Sequence, residues 1–285
     1  MPKSLSPSAL ARYHDEGIHF PLPVLSRGEA AEYLLRLETL EARDGGRLSA
    51  RNNQKPHLLL TWLDRLIRHP RILDAVEDVI GPNILCWGSG FFAKDPGDPS
   101  YVSWHQDGNY WGLSSAEVTT AWLALTPSDR YNGCMRVVPG SQKQVLAHRD
   151  TFAEDNLLSR GQEIEVRVDE SQALDVVLAP GEMSLHHVQI VHGSEPNRSD
   201  IRRVGYAIRY LPTHVRQSDC EIRGSATLVR GVDTYGHFDL EQAPQSDFHP
   251  QAVERHAAIL DRQLRILYKG AQKPGKLGAS IGRQT

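Results

Sequence analysis

The sequence predicts a mainly β fold, whose core is a sandwich or closed barrel with α-helices packed outside it, mostly N-terminal. Two observations support this. Apolar side chains recur at helical spacing in the first 80 residues, whereas short β-rich runs separated by Gly and Pro begin at residue 84. Many short strands with such punctuation are typical of sandwiches and barrels. The length of 285 residues suits one undivided domain covering 1–285.

The helical N-terminal part covers about residues 6–80. Ser6 and Ser26 are placed to cap its first two helices, because a Ser side chain satisfies a free backbone N–H at a helix start. Two short amphipathic helices are predicted at 58–67 and 72–80. The sequence Gly81-Pro82-Asn83 then breaks the helical pattern.

The predicted β core covers about residues 84–215. Its expected strands are 84–92, 118–125, 135–138, 174–178, 183–191 and 204–211. The polar segment 141–170 predicts a long insert. A last helix is predicted over about 251–268, where apolar residues recur at steps of four and three. A Gly- and Lys-rich tail that follows Lys269 is expected to be mobile.

The composition excludes several classes of function. A net charge of −3 predicts no nucleic-acid partner, since such proteins usually carry a basic face. No apolar run is long enough for a membrane span or a signal peptide. The cysteines Cys86, Cys134 and Cys220 are odd in number and far apart, which predicts buried free thiols in a reducing, cytoplasmic setting. The oligomeric state cannot be read from the sequence.

Two separated motifs predict a metal site. In His105-Gln106-Asp107, an extended chain would direct the imidazole and the carboxylate to one face. His192 ends an apolar, strand-like run and would meet the first pair only through the fold. Two histidines and one carboxylate on one face of a metal are diagnostic of non-haem Fe(II) oxygenases. The sequence therefore predicts that these three residues hold iron.

A third motif predicts an anion site. If the run after Arg202 is a strand, Arg203, Gly205, Ala207 and Arg209 share one face. Small residues beside Arg203 would leave a cavity, and its guanidinium can hold a carboxylate through two hydrogen bonds. A dicarboxylate such as 2-oxoglutarate would then reach the iron at one end and Arg203 at the other. Arg202 is the rival for this role.

Together these motifs make the chain resemble the phytanoyl-CoA dioxygenase family of Fe(II)- and 2-oxoglutarate-dependent oxygenases. The resemblance covers roughly residues 8–215, and the arginine eleven positions after the distal histidine is one of its pieces, which are specific only when taken together. Its other pieces are Gly81-Pro82-Asn83-Ile84, Trp104-His105-Gln106-Asp107, Ala121-Trp122, Asn132-Gly133-Cys134-Met135, Pro139-Gly140-Ser141, and His192-Gly193-Ser194 with Asn197.

The resemblance implies a double-stranded β-helix, a cupin-like jelly roll. It implies that His105, Asp107 and His192 bind Fe(II), and that the cosubstrates are 2-oxoglutarate and O₂. Arg203 matches the arginine that binds 2-oxoglutarate, while Ser194 and Trp122 match residues that line its site. Gln142 departs from the family, which often has histidine after Pro-Gly-Ser, but that position holds no metal.

The implied reaction is hydroxylation of an unactivated C–H bond in a small-molecule substrate, with release of succinate and CO₂. Halogenases of the same broad family resemble the chain but carry a small residue in place of Asp107, so its carboxylate favours hydroxylation. Three alternatives remain open: a related halogenase or desaturase, a cupin-like metalloenzyme without 2-oxoglutarate, and a non-catalytic ligand-binding barrel. A bacterial small-molecule hydroxylase is expected rather than a lipid enzyme.

Further residues are candidates for the substrate channel, namely Lys94, Asn109, Tyr110, Trp111 and Arg209. The insert at 141–170 and the region after 215 are expected to form the lid. His186 precedes His192 by six positions on one predicted strand, which places it about 20 Å away at ~3.3 Å per residue. His186 and His187 are therefore expected to be structural.

Overall fold

The computed structural model describes residues 2–218 and 222–268. Its helices are α1 Pro7–Glu16, α2 Arg27–Arg43, α3 Thr61–Ile67, α4 Pro70–Ile80 and α5 Pro250–Leu267. Its strands are β1 Ile18–Pro23, β2 Ile84–Lys94, β3 Val102–His105, β4 Thr119–Ala124, β5 Met135–Val138, β6 His148–Asp150, β7 Gln162–Ile164, β8 Leu174–Asp175, β9 Glu182–His187, β10 Val191–Ser194, β11 Arg203–Pro212, β12 Ser225–Arg230 and β13 Asp239–Leu240.

The first two helices begin at their predicted Ser caps, whereas α3 begins at Thr61 rather than at 58 and α4 begins at Pro70 rather than at 72. The Ser6 hydroxyl accepts a hydrogen bond from the Ala9 backbone N–H at 3.1 Å and caps α1. Ser26 and Glu29 form a reciprocal capping box at the start of α2, which satisfies two otherwise free N–H groups. Gly81 follows α4 with φ of 86°, a conformation that favours glycine.

The strands form two main sheets that face each other. The larger sheet has seven strands in the order β1-β9-β4-β11-β2-β12-β13, and the smaller has four in the order β3-β10-β5-β8. Trp122 and Ala207 from the larger sheet pack in one apolar cluster with Met135 and Val137 from the smaller. The interior between the sheets is therefore a packed core, as in a jelly roll.

The larger sheet is covered on both faces. Tyr206 and Ile208 of β11 pack against helix residues such as Leu63 and Val76, whereas the alternate residue Ala207 points between the sheets. Burial on both faces explains why β2, β4 and β11 read as nearly continuous apolar runs. It also means that every second residue of β11 faces the interior, as the sequence predicts.

The prediction of one strand over 183–191 is wrong. Strand β9 ends at His187, and β10 starts at Val191 in the other sheet. The chain turns between them, with the Ile190 N–H bonded to the His187 carbonyl at 3.0 Å. Val188 and Ile190 are buried in this turn, so their apolar character imitates a strand. The predicted strand 174–178 is also shorter, because β8 ends at Asp175.

Two of the three cysteines lie within the described residues. Cys86 and Cys134 are buried free thiols, and burial raises the pKa of each to about 12. Cys220 and the tail after Lys269 lie outside the described residues. Within the ranges 2–218 and 222–268, no helix is both long and apolar enough to cross a membrane. The insert at 141–170 contains the hairpin of β6 and β7.

Candidate metal centre

The pairing of two short strands brings the predicted histidine ligands together. Strand β10 runs antiparallel to β3, and His192 and His105 are direct partners in that pairing. Their ring centroids are 4.1 Å apart. Asp107 begins a 3₁₀ turn at the end of β3, which directs its carboxylate back to His105, with 3.3 Å between Oδ1 and His105 Nε2. The ligand atoms of the three residues all lie within 4.8 Å of one another.

Hydrogen bonds fix the orientation of both imidazole rings. His105 Nδ1 lies 2.9 Å from the Ser103 carbonyl oxygen and 3.1 Å from that of His192. His192 Nδ1 lies 3.0 Å from the Ile190 carbonyl oxygen. Carbonyl oxygens only accept hydrogen bonds, so Nδ1 carries the proton in each ring. The Nε2 lone pairs are left free for a metal, which is the usual arrangement of histidine ligands.

Burial prepares the protonation states that a metal requires. Burial, and after it the neighbouring His105, lowers the pKa of His192 to about 4, so the His192 ring is neutral near pH 7. Burial alone would raise the pKa of Asp107. The close contact with His105, whose Nε2 lies 3.3 Å from Asp107 Oδ1, outweighs burial and holds that pKa below its usual range. The site thus offers a neutral His192 ring and the Asp107 carboxylate.

Arg203 is a buried cation that lacks an anionic partner. Only 2% of its surface is exposed, and its Nη1 donates to the Gly133 carbonyl at 2.5 Å. Its guanidinium lies 5.4 Å from the centre of the Trp122 ring. Across the described ranges, no carboxylate pairs with Arg203, and its Nε has no hydrogen-bond partner. A buried charge of this kind is costly unless a ligand supplies the anion.

Arg202, the rival of Arg203, is engaged elsewhere. Its Nη1 and Nη2 donate to the two carboxylate oxygens of Glu41 at 2.8 and 2.9 Å. This paired guanidinium stands outside the core, while Arg203 lines the cavity between the sheets that also contains the three predicted metal ligands. We call this space, of about 60 Å³, the inner cavity.

Ser194, Trp122 and Lys94 surround the Arg203 end of the inner cavity. Ser194 and Trp122 line it directly, and Lys94 Nζ donates to Ser194 Oγ at 2.7 Å. Lys94 is the cross-strand partner of Arg203 and is fully buried. Burial, with the nearby charge of Arg203, lowers the pKa of Lys94 to about 7. The structure therefore places Lys94 beside the predicted 2-oxoglutarate site rather than in an open channel.

Comparison with known proteins identifies the family of the chain. The sequence model of the phytanoyl-CoA dioxygenase (PhyH) family matches residues 4–205. The chain belongs to the phytanoyl-CoA dioxygenase family. A probable alpha-ketoglutarate-dependent hypophosphite dioxygenase of Stutzerimonas stutzeri is 33% identical over 209 residues, covering 72% of this chain and 68% of that protein. Matches to several curated phytanoyl-CoA dioxygenases cover only about half of those proteins.

Solved structures share the fold over most of the chain. The apo form of the non-heme monooxygenase ThoJ is 34% identical, with a TM-score of 0.82 and coverage of 93% of this chain and 99% of that one. CytC3, solved with Fe(II) and alpha-ketoglutarate, is 26% identical, with a TM-score of 0.64 and coverage of 86% and 96%. The predictions of the family and of a mainly β jelly-roll core with packed, mostly N-terminal helices are confirmed.

A second space opens beside the candidate metal centre. This outer cavity, of about 370 Å³, shares Phe92, Asp107, Leu158 and Arg209 with the inner one. Of the residues predicted for the substrate channel, the outer cavity is lined by Tyr110, Trp111 and Arg209. The insert and the C-terminal helix also contribute walls, as expected of a lid, through Leu157, Leu158, Ser159, Arg160, Gln162, Gln263 and Leu267.

Asn109 does not line either cavity. Its Nδ2 donates to the Leu146 carbonyl at 2.8 Å, and it also contacts His148 Nδ1. Gln106 has a similar structural role, because its Nε2 donates to the carbonyls of Gln144 and Gln189 at 2.8 and 2.6 Å. These two residues tie the turn that begins at Asp107 to the insert. The sequence motif gave no sign that Gln106 would be fully buried.

The expected position of His186 is wrong. Because the chain turns after His187, the His186 ring lies 5.2 Å from the His192 ring rather than a strand length away. His186 is 2% exposed and lines the inner cavity, and its Nδ1 has no hydrogen-bond partner. Burial, then the proximity of His192, lowers its pKa well below the usual value, so the ring is neutral. It lies outside the three-residue cluster of possible ligands.

Proposed function

We propose that the chain is an Fe(II)- and 2-oxoglutarate-dependent dioxygenase that hydroxylates an unactivated C–H bond of a small molecule, with release of succinate and CO₂. The observation that carries the proposal is the fixed direction of the His105 and His192 Nε2 atoms towards the Asp107 carboxylate. This donor set matches the facial triad of non-haem Fe(II) oxygenases, which leaves positions free for cosubstrate and O₂.

In this proposal each group of the inner cavity has its own task. His105, Asp107 and His192 hold Fe(II), and their backbone partners keep the two rings from rotating. Arg203 binds the far carboxylate of 2-oxoglutarate, with Ser194 and Trp122 beside it. Bound iron supplies the redox chemistry that couples decarboxylation of 2-oxoglutarate to C–H oxidation. The protein orients the cosubstrate and excludes water from the reacting atoms.

The unpaired Arg203 supports the use of 2-oxoglutarate over a metalloenzyme mechanism without it. A guanidinium that is buried without a carboxylate partner fits a ligand that brings its own carboxylate. The relatives add support, since one is named alpha-ketoglutarate-dependent and another was solved with Fe(II) and alpha-ketoglutarate. The Asp107 carboxylate favours hydroxylation over halogenation, which needs a ligand position for halide.

An anaerobic titration of the protein with Fe(II) and then 2-oxoglutarate tests the proposal. We expect a charge-transfer absorption that requires both components. A screen of small-molecule substrates for succinate release should then identify compounds that stimulate turnover, and the product should gain one oxygen atom in mass. Absence of both the absorption and succinate would overturn the proposal. A product that loses two hydrogens or gains a halogen would instead identify a desaturase or a halogenase.

A further inference from the structure

Arg209 occupies the boundary between the two cavities. It lies on the same face of β11 as Arg203 and Ala207, six residues further on, which is about 20 Å along a strand. Both arginines line the inner cavity, but only Arg209 also lines the outer one. Its strand partner is Gly88, where an added Cβ would lie in ordinary van der Waals contact, 3.8 Å from Arg209 Cδ.

The guanidinium of Arg209 is held by aromatic rings and not by anions. It lies 5.7 Å from the centre of the Phe92 ring and 5.9 Å from that of Trp111. Within the described residues, no group forms a hydrogen bond or an ion pair with Arg209. Asp107 is near enough to interact electrostatically, but not within ion-pair distance. The edge donors of Arg209 are therefore available to a ligand.

The other charged side chains of the outer cavity have partners. Arg47 pairs with Asp95 and Asp98, and Arg160 pairs with Asp150. Lys55 pairs with Glu241, and Glu41 pairs with Arg202. Of the described residues that line this cavity, Arg209 is the cation without an ionic partner.

The charge balance of the loaded site leaves Arg209 in excess. In the proposed complex, the positive charges of Fe(II) and the Arg203 guanidinium equal the negative charges of the Asp107 carboxylate and the 2-oxoglutarate dianion. Any charge that Lys94 retains adds to the positive side. A further anion beside Arg209 would neutralise the site, and the planar fork of a guanidinium matches an oxyanion through two hydrogen bonds.

We infer that Arg209 anchors an oxyanion of the substrate, so that the enzyme acts on a small organic acid with a carboxylate or phosphonate head and an apolar body. The inference rests on the proposed function, which places the oxidation at the metal site that includes Asp107. The body would lie against the apolar wall formed by Leu48, Trp87, Leu157 and Leu267. Because Arg209 and Asp107 border the same space, the oxidised carbon lies within a few bonds of the head group.

A comparison of the affinities of charged and neutral ligands for the loaded protein tests the inference without turnover. Ligand-observed NMR would follow hexanoate, hexylphosphonate and the neutral hexanamide on protein loaded with Ni(II) and 2-oxoglutarate. We expect both oxyanions to bind about tenfold or more tightly than the amide, as charge-assisted hydrogen bonds imply. The preference should fall close to unity in Arg209→Gln, be partly retained in Arg209→Lys and persist in Arg202→Gln, whose guanidinium pairs with Glu41.

The inference fails if the oxyanions bind no better than the amide, or if the preference survives Arg209→Gln. It also fails if Arg209→Gln abolishes 2-oxoglutarate binding, because Arg209 would then serve the cosubstrate. Unchanged 2-oxoglutarate binding in that variant confirms that it is folded. If the wild-type protein does not bind 2-oxoglutarate, the proposed function fails separately. In that case the Arg203→Gln variant, without metal or 2-oxoglutarate, still allows the preference for oxyanions over the amide to be measured at Arg209. The substitution removes Arg203 as a second guanidinium that could bind the oxyanion.

Discussion

His105 and His192 face each other across the antiparallel pair of β3 and β10, with ring centroids 4.1 Å apart, although they are 87 positions apart in sequence. The hydrogen bond from His105 Nδ1 to the His192 carbonyl ties one ring directly to the backbone of the other ligand. The geometry of the candidate metal site is therefore set by strand register. A slip of one residue would turn one of the rings to the opposite face.

Removal of the Asp107 carboxylate should abolish metal-dependent activity. We expect Asp107→Ala to lower substrate-stimulated succinate release by more than about 100-fold. Mutation of a residue that only hydrogen-bonds to a metal ligand already lowers metal affinity or activity by about 10–100-fold. Asp15→Ala is a matched control, because it removes an exposed carboxylate that pairs with Lys143 at the surface. Full activity of Asp107→Ala would contradict the assignment of this residue.

The adjacent arginines Arg202 and Arg203 allow a sharp test of the cosubstrate site. Arg203→Gln should weaken 2-oxoglutarate binding about 10–100-fold, because a charge-assisted hydrogen bond is worth roughly 1.5–3 kcal/mol. Arg202→Gln removes the same charge one position earlier but disrupts only contacts with Glu41 and Asp95. Its 2-oxoglutarate affinity should stay near that of the wild type. Equal losses in the two variants would argue against the role of Arg203.

The sequence was sufficient to predict which three residues cluster as candidate metal ligands, but it did not predict what surrounds them. The ligand motifs and the alternation along β11 depend on local geometry, which a single chain encodes. The position of His186 depends on a turn at 188–190 that contains neither Gly nor Pro, and whose apolar residues are buried by tertiary contacts. The outer cavity is harder still to predict, because its walls come from segments as distant as Leu48 and Leu267.

His186 lies close to the metal cluster but is not expected to bind the ion. We predict that His186→Phe, which keeps a ring of similar size, retains one tightly bound metal per chain in an anaerobic Fe(II) or Ni(II) titration. His192→Phe is the matched control and should lose that binding, because its Nε2 belongs to the ligand cluster. Loss of the metal in His186→Phe alone would identify His186 as a ligand.

Gly205 provides the space that Trp122 occupies beside Arg203. A Cβ at residue 205 would lie 1.9 Å from Trp122 Cζ2, so the indole ring would have to move. We expect Gly205→Ala to lower the free energy of unfolding by about 1–3 kcal/mol, the usual cost of overpacking. It should also weaken 2-oxoglutarate binding. Gly28→Ala, at an uncrowded position in α2, should lower neither quantity in urea unfolding and ligand titrations, because alanine favours a helix more than glycine does.

Glu241 should stabilise the fold through a buried ion pair with Lys55. The side chain of Glu241 is fully buried, accepts a hydrogen bond from Thr227 Oγ1 at 2.7 Å and lies 3.6 Å from His57 Nε2. Removal of one partner of such a pair leaves an uncompensated charge and typically costs about 3–5 kcal/mol. We expect a loss of this size for Glu241→Gln. The exposed pair of Arg149 and Glu163 is the control, and Glu163→Gln should cost less than about 1 kcal/mol.

The effect of Glu241→Gln should depend on pH in a defined direction. Burial would raise the pKa of Glu241, but the charge of Lys55 and the contact with His57 lower it from 4.5 to about 2. A carboxyl group with a lowered pKa in the folded state stabilises the protein above its unfolded pKa and loses that contribution as the pH falls towards the folded value. The difference in unfolding free energy between wild type and Glu241→Gln should therefore be constant above pH 4.5 and shrink between 4.5 and 2. A difference in urea unfolding that grows with acidification would contradict the ion pair as its source.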